Sequence, residues 1–293
     1  MRRSMLFVPG NNPKMMTSCG FFGADAVIFD LEDAVSPGQK LAARQLVRHA
    51  IANLELNGCE VVVRINAVDT PLWKQDLAAV VPQRPSMIML PKAARREELL
   101  QVSQELSALE TQSGLPEGEI GIIALIETAL GVHNAYEIAS ACLCVRAIFL
   151  GAEDLSADLH CKRTKEGQEI FFARSAIVAA ARAAGVEAYD TPFTDVEDDA
   201  GVRADAALAR SLGFTGKAAI SPRHLDAINA CFSPTQAEAD YAREVLDAIE
   251  EGRRAGKGAV ALRGKMIDAP IAARARQTLA AAEEILRRGG TLA

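Results

Sequence analysis

The residues of this sequence best suited to chemistry are acids that follow short apolar runs. Glu127 closes the run Ile122-Ile123-Ala124-Leu125-Ile126, and Asp154 comes after Ile148-Phe149-Leu150-Gly151-Ala152-Glu153. Asp30, Glu32 and Asp33 follow a similar run. Carboxylates held close together repel unless a cation sits among them or their pKa values rise. Mg²⁺ would resolve the repulsion, typically with two carboxylates and several waters left for substrate. Each acid could instead cap the following helix or form a surface pair.

Two basic residues stand among these acids. Arg64 lies inside Val61-Val62-Val63-Arg64-Ile65, where a charge is costly unless it points at a paired site. It reads as an anion binder. Lys92, after Leu90-Pro91, reads as an ion-pair partner of the acids; a Schiff-base role is the alternative. His49, His133, His160 and His224 show no metal-ligand spacing, and no G-x-S-x-G, Walker or G-x-G-x-x-G motif is present.

The elements that must position these residues are legible in outline. Eight apolar runs alternate with helical patterns: Met5 to Val8, Ala26 to Leu31, Val61 to Ile65, Met87 to Leu90, Ile120 to Ile126, Ala147 to Leu150, Glu187 to Tyr189 and Lys217 to Ile220. Runs without polar alternation suit a parallel sheet covered on both faces. Eight βα units close into a (β/α)₈ barrel, whose active site lies at the C-terminal strand ends. Ser36, Pro37 and Gln39 predict an N-cap, a first-turn proline and a capping box, with Ala43, Val47, Ala50, Ile51 and Leu54 on one face. The same pattern recurs over 168–184, with Gly185 as its stop. The barrel is expected over 1–233. The remainder, 234–293, reads as a helical extension, with helices near 235–251 and 270–288 and a Gly/Arg/Lys-rich mobile lid loop over 252–264.

Bulk properties narrow the class. The chain has 293 residues, 49% hydrophobic and 24% charged, with a net charge of −6. That balance excludes a basic nucleic-acid grip, and no apolar run is long enough to span a membrane. The run after Met1-Arg2-Arg3-Ser4 is too short for a signal peptide, so a cytoplasmic enzyme is expected. The six cysteines are expected to be free thiols.

Several segments together resemble the citrate lyase/malyl-CoA lyase (HpcH/HpaI aldolase) family of metal-dependent barrels. They include residues 2–10 (RRSMLFVPG), 29–35 (FDLEDAV), 63–66 (VRIN), 90–92 (LPK), 124–128 (ALIET), 150–154 (LGAED), 213–217 (GFTGK) and 264–270 (GKMIDAP). The resemblance runs in order along nearly the whole chain and is nearest to the citrate lyase beta-subunit branch. It implies Glu127 and Asp154 as Mg²⁺ ligands, and Arg64 and Glu127 in catalysis and substrate binding, with Glu32, Asp33 and Lys92 alongside. It implies that Asp268 closes over the site of a neighbouring subunit in a homotrimer or larger assembly. Arg2, Arg3 and Lys14 become phosphate contacts for a CoA-type substrate. The implied reaction splits a citryl thioester, on acyl carrier protein or CoA, into oxaloacetate and an acetyl thioester. The implied protein partners are a citrate lyase alpha subunit and an acyl-carrier gamma subunit. Malyl-CoA or methylmalyl-CoA lyase and malate synthase-like chemistry are the alternatives. The chain departs from the family at His160, after Ser156-Ala157-Asp158-Leu159, and at Ser221 before Pro222.

Overall fold

Eight parallel strands close on themselves: β1 (Ser4–Pro9), β2 (Ala26–Asp30), β3 (Glu60–Arg64), β4 (Met87–Leu90), β5 (Gly121–Ile126), β6 (Val145–Leu150), β7 (Glu187–Asp190) and β8 (Gly216–Ala219). The computed structural model describes residues 1–254, 256 and 259–293. Each strand pairs with the next, and β1 pairs with β8 from Ser4↔Lys217 to Leu6↔Ala219. The unbroken apolar runs have their cause here, because the strands are covered on both faces.

Side chains alternate along each strand, so one parity fills the barrel interior and the other meets the outer helices. Met5, Ala26, Ile28, Val62, Met87, Met89, Ile123, Leu125, Ala147, Phe149, Tyr189 and Ala218 form the interior cluster. Burying each large apolar side chain contributes about 1.5–3 kcal/mol. The opposite parity places Asp190 and Lys217 outside the strands. There they meet Arg174 and Asp205 from the helices Phe171–Ala184 and Asp199–Leu212. Lys217 Nζ donates to Asp190 at 2.6 Å, and Arg174 donates to both carboxylates of this fully buried quartet.

The helix Phe171–Ala184 ends at Gly185, whose φ of +74° is the left-handed conformation that glycine adopts freely. The earlier helix departs from the capping-box expectation. Residues Pro37–Gln39 form a 3₁₀ turn and the α-helix starts at Lys40, because the Gln39 N–H bonds the Ser36 carbonyl rather than its hydroxyl. The expectation of six free thiols also needs correction. Cys142 and Cys144 are paired as a disulfide, since the tight turn before β6 brings their Cα atoms to 5.4 Å. Cys19, Cys59 and Cys161 are free thiols.

Residues Arg2–Ile228 form one compact unit, and Asn229–Ala293 with Met1 form another. In the second, the helices Gln236–Arg254 and Ala269–Arg287 are joined through an antiparallel hairpin of β9 (Val260–Leu262) and β10 (Lys265–Ile267). Ala242, Val245, Ile267 and Ala275 make its apolar cluster. Within the expected loop 252–264, residues 255, 257 and 258 lie outside the described residues, while 260–262 is strand. Among the described residues, no helix is long and apolar enough to cross a membrane.

Candidate active site

The interior parity, continued past the ends of the strands, builds the mouth of the barrel. Ala26 and Ile28 lead to Asp30, Val62 to Arg64, Ile123 and Leu125 to Glu127, and Ala147 and Phe149 to Gly151. Asp30, Arg64, Leu125, Glu127, Phe149 and Gly151, with Phe7, Thr191 and Ile220, line a cavity of about 360 Å³. Asp154 joins them from the first turn of the short helix Ala152–Asp158, which Gly151 starts.

A chain of polar contacts runs across this mouth. Arg64 donates from Nε and Nη2 to the two oxygens of Asp30, at 2.7 and 2.5 Å, and its Nη1 lies 3.1 Å from Glu32. Its guanidinium also stands over the Phe7 ring, 5.2 Å from the centroid. Five N–H groups are available on arginine, so two remain for an anion in the cavity. Lys92 Nζ donates to Glu32 at 2.7 Å, and the Lys92 backbone N–H donates to Glu127 Oε1 at 2.7 Å. Asp33 sits at the rim with its side chain about half exposed, 3.8 Å from Lys92. Asp30 accepts the Glu32 and Ala34 N–H groups, and Lys40 Nζ donates to the Leu31 and Glu32 carbonyls, so the whole turn is fixed.

Glu127 is 2% exposed and lies beside Asp154 in the wall of the cavity. Burial and this second carboxylate push its carboxyl up to about 9. The repulsion expected among the strand-end acids is felt at this pair, and burial and Asp33 likewise raise Glu32. Two hard oxygen donors on neighbouring elements fit a hard divalent cation. Among the described residues no group of three or more His, Cys, Asp or Glu makes a complete protein cage. The pair thus matches an ion that keeps waters and substrate oxygens in its shell, as Mg²⁺ does.

The structure brings Arg64, Glu32, Asp33, Lys92, Glu127 and Asp154 together. Asp268 belongs to the other compact unit, where it caps the helix Ala269–Arg287 by accepting the Ile271 N–H. Arg2 and Arg3 correct the phosphate-contact expectation. Both precede β1, at the end of the barrel opposite the acids, and Arg2 is 2.7 Å from Glu60 while Arg3 donates twice to Asp25 through its side chain. Lys14, exposed on the helix Pro13–Ser18 after β1, is at the correct end. Sequence reasoning passed over Phe7, Phe149 and Ile220 as lining residues. Counting every second residue forward from the interior positions would have found them.

A parallel barrel with an acid pair, a held arginine and apolar walls at its C-terminal mouth has the makings of a metal-assisted carbon–carbon lyase. The chain belongs to the HpcH/HpaI aldolase/citrate lyase family, whose model matches residues 3–222. It is 42% identical over 279 residues to the citrate lyase subunit beta of Leuconostoc mesenteroides subsp. cremoris, covering 95% of this chain and 92% of that one. Among solved structures it resembles the CitE protein of Mycobacterium tuberculosis in complex with magnesium, acetoacetate and coenzyme A. That match has a TM-score of 0.78 and 33% identity, over 96% of this chain and 97% of the other. A citrate lyase beta subunit of M. tuberculosis complexed with oxaloacetate and magnesium matches at a TM-score of 0.68 and 32% identity. It covers 80% of this chain and 97% of that one.

Proposed function

We propose that this chain is a Mg²⁺-dependent lyase that cleaves a citryl thioester, carried on acyl carrier protein or CoA, to oxaloacetate and an acetyl thioester. The observation that carries the reading is the Glu127–Asp154 pair facing Arg64 across one cavity. The relatives named above support the choice of acyl group. Glu127 and Asp154 would hold the cation, which when bound supplies Lewis-acid polarisation of the substrate oxygens.

The chain's own residues account for the rest. The bond between the hydroxyl-bearing carbon and the methylene beside the thioester breaks. Its electron pair passes into the thioester as an enolate, while the hydroxyl gives its proton to a solvent water at the open rim beside Asp33 and becomes the ketone of oxaloacetate. The two free N–H groups of Arg64 face the enolate oxygen, and Asp30 and Glu32 keep the guanidinium from turning away. Phe7, Leu125 and Phe149 exclude water from the reacting carbons. Asp268, from a neighbouring subunit of a homotrimer or larger assembly, gives a proton to the enolate carbon. Support for that role comes from the family-like segment 264–270. Glu32 and Lys92 border the substrate, and Asp33 closes the rim. The enzyme works in the cytoplasm with alpha and acyl-carrier gamma subunits as partners.

The test is cleavage of citryl-CoA against malyl-CoA in the presence of Mg²⁺. We expect citryl-CoA to be preferred at least about tenfold, and Asp268→Ala to lower kcat about 100-fold with little change in KM. Equal turnover of the two thioesters would remove the citrate assignment.

A further inference from the structure

Lys92 has a backbone that the ion pair of its side chain does not explain. Its φ is +54°, in the left-handed region that non-glycine residues seldom occupy. The cause is visible in the β4–β5 ladder. Leu90 lies opposite Ala124, yet the next bond to β5 comes from Ala93, whose N–H reaches the Leu125 carbonyl at 3.0 Å. Pro91 and Lys92 are therefore looped out of the ladder, and the left-handed residue returns the chain to it. The looped-out peptide is the one whose N–H points at Glu127 Oε1, 2.7 Å away. Glu127 Oε2 lies on the other side, packed where a Cβ on Gly151 would come within 2.6 Å of it.

We propose that the left-handed backbone of Lys92 is a positioning device: it holds its N–H on Glu127 Oε1 and so sets the carboxylate plane that the metal meets. Strained backbone of this kind persists only where its surroundings enforce it, and it gathers at functional sites. An N–H donated to a carboxylate is a strong, directional contact, and it comes from main chain that no rotamer change can withdraw. The side chain has the separate task of pairing with Glu32. The inference rests on the reading of Glu127 and Asp154 as metal ligands.

It therefore predicts an unusual order of variants in Mg²⁺ binding, measured by calorimetry with the metal alone. Lys92→Gly loses the whole side chain but adopts the left-handed conformation freely, and should bind Mg²⁺ within about threefold of wild type. Lys92→Ala keeps a Cβ of ordinary cost and should also stay within about threefold. Lys92→Val, whose branched side chain resists this conformation, should flip the peptide and weaken binding at least about tenfold while the circular dichroism stays unchanged. Loss of Mg²⁺ affinity in both Lys92→Gly and Lys92→Ala would overturn the proposal, because the side chain would then be what matters. So would a folded Lys92→Val that binds as wild type does. The glycine and alanine comparison decides the matter if the valine variant does not fold. Glu127→Gln and Asp154→Asn serve as controls: undiminished Mg²⁺ binding in both would mean that the metal reading itself fails.

Discussion

Gly151 has no side chain, and Glu127 occupies the space that one would fill. A Cβ there would lie 2.6 Å from Oε2 and 2.7 Å from the Glu127 Cβ, closer than such atoms approach. Gly151→Ala should push Glu127 aside and lower Mg²⁺ affinity at least about tenfold with little change in fold; unchanged affinity in calorimetry would contradict this. The pH response of the same carboxylate has a definite sign. Its ordinary value is 4.5 and the site lifts it to about 9, so a proton occupies the place a cation needs. Mg²⁺ affinity should rise by up to about tenfold per pH unit from neutrality towards 9, then level off. A pH-independent Mg²⁺ dissociation constant between pH 6 and 9 would show that Glu127 carries no such proton. At this scale the strand-end acids were legible, because charge after an apolar run is conspicuous. Lys92 was legible only as a cation, since its useful atom is a backbone N–H and side-chain type says nothing about φ.

The strands position the site through parity, and parity also creates the buried quartet. Asp190 and Lys217 point outward one residue away from Tyr189 and Ala218, which point in. Lys217 Nζ also donates to the Thr191 carbonyl, fixing the strand end whose side chain lines the cavity. Lys217→Met would leave Asp190 and Asp205 with one cation fewer in a fully buried setting. It should cost about 3–5 kcal/mol in urea unfolding, and a loss below about 1 kcal/mol would contradict the account. The sequence made the strands clear because most of their apolar runs are continuous. It did not reveal the quartet, because Arg174 sits on the Ala-rich core-facing side of its helix and its partners come from elements 16 and 31 residues away. Arg2 and Arg3 misled for a related reason: proximity to β1 in sequence does not say which end of the barrel a residue occupies.

For the molecule as a whole, the metal and the fold are linked. In the apo protein the raised Glu127 carboxyl contributes stability that is complete below pH 4.5 and is lost as pH rises through about 9. Mg²⁺ binds the native state and offsets that loss. The rise in Tm on adding saturating Mg²⁺ should therefore be larger at pH 8.5 than at pH 6. An equal or smaller rise at the higher pH would break the link. The whole barrel was legible from its repeating βα pattern, whereas the hairpin Val260–Leu262 and Lys265–Ile267 was hidden by strands too short to show a period.

The central claim is that Glu127 and Asp154 share one divalent cation at the mouth of the barrel. Anomalous diffraction from crystals soaked in Mn²⁺, used in place of the weakly scattering Mg²⁺, tests it most directly. The account predicts one strong peak about 2.1 Å from a carboxylate oxygen of each residue, lost in Glu127→Gln. A peak elsewhere, or none at saturating Mn²⁺, would contradict it.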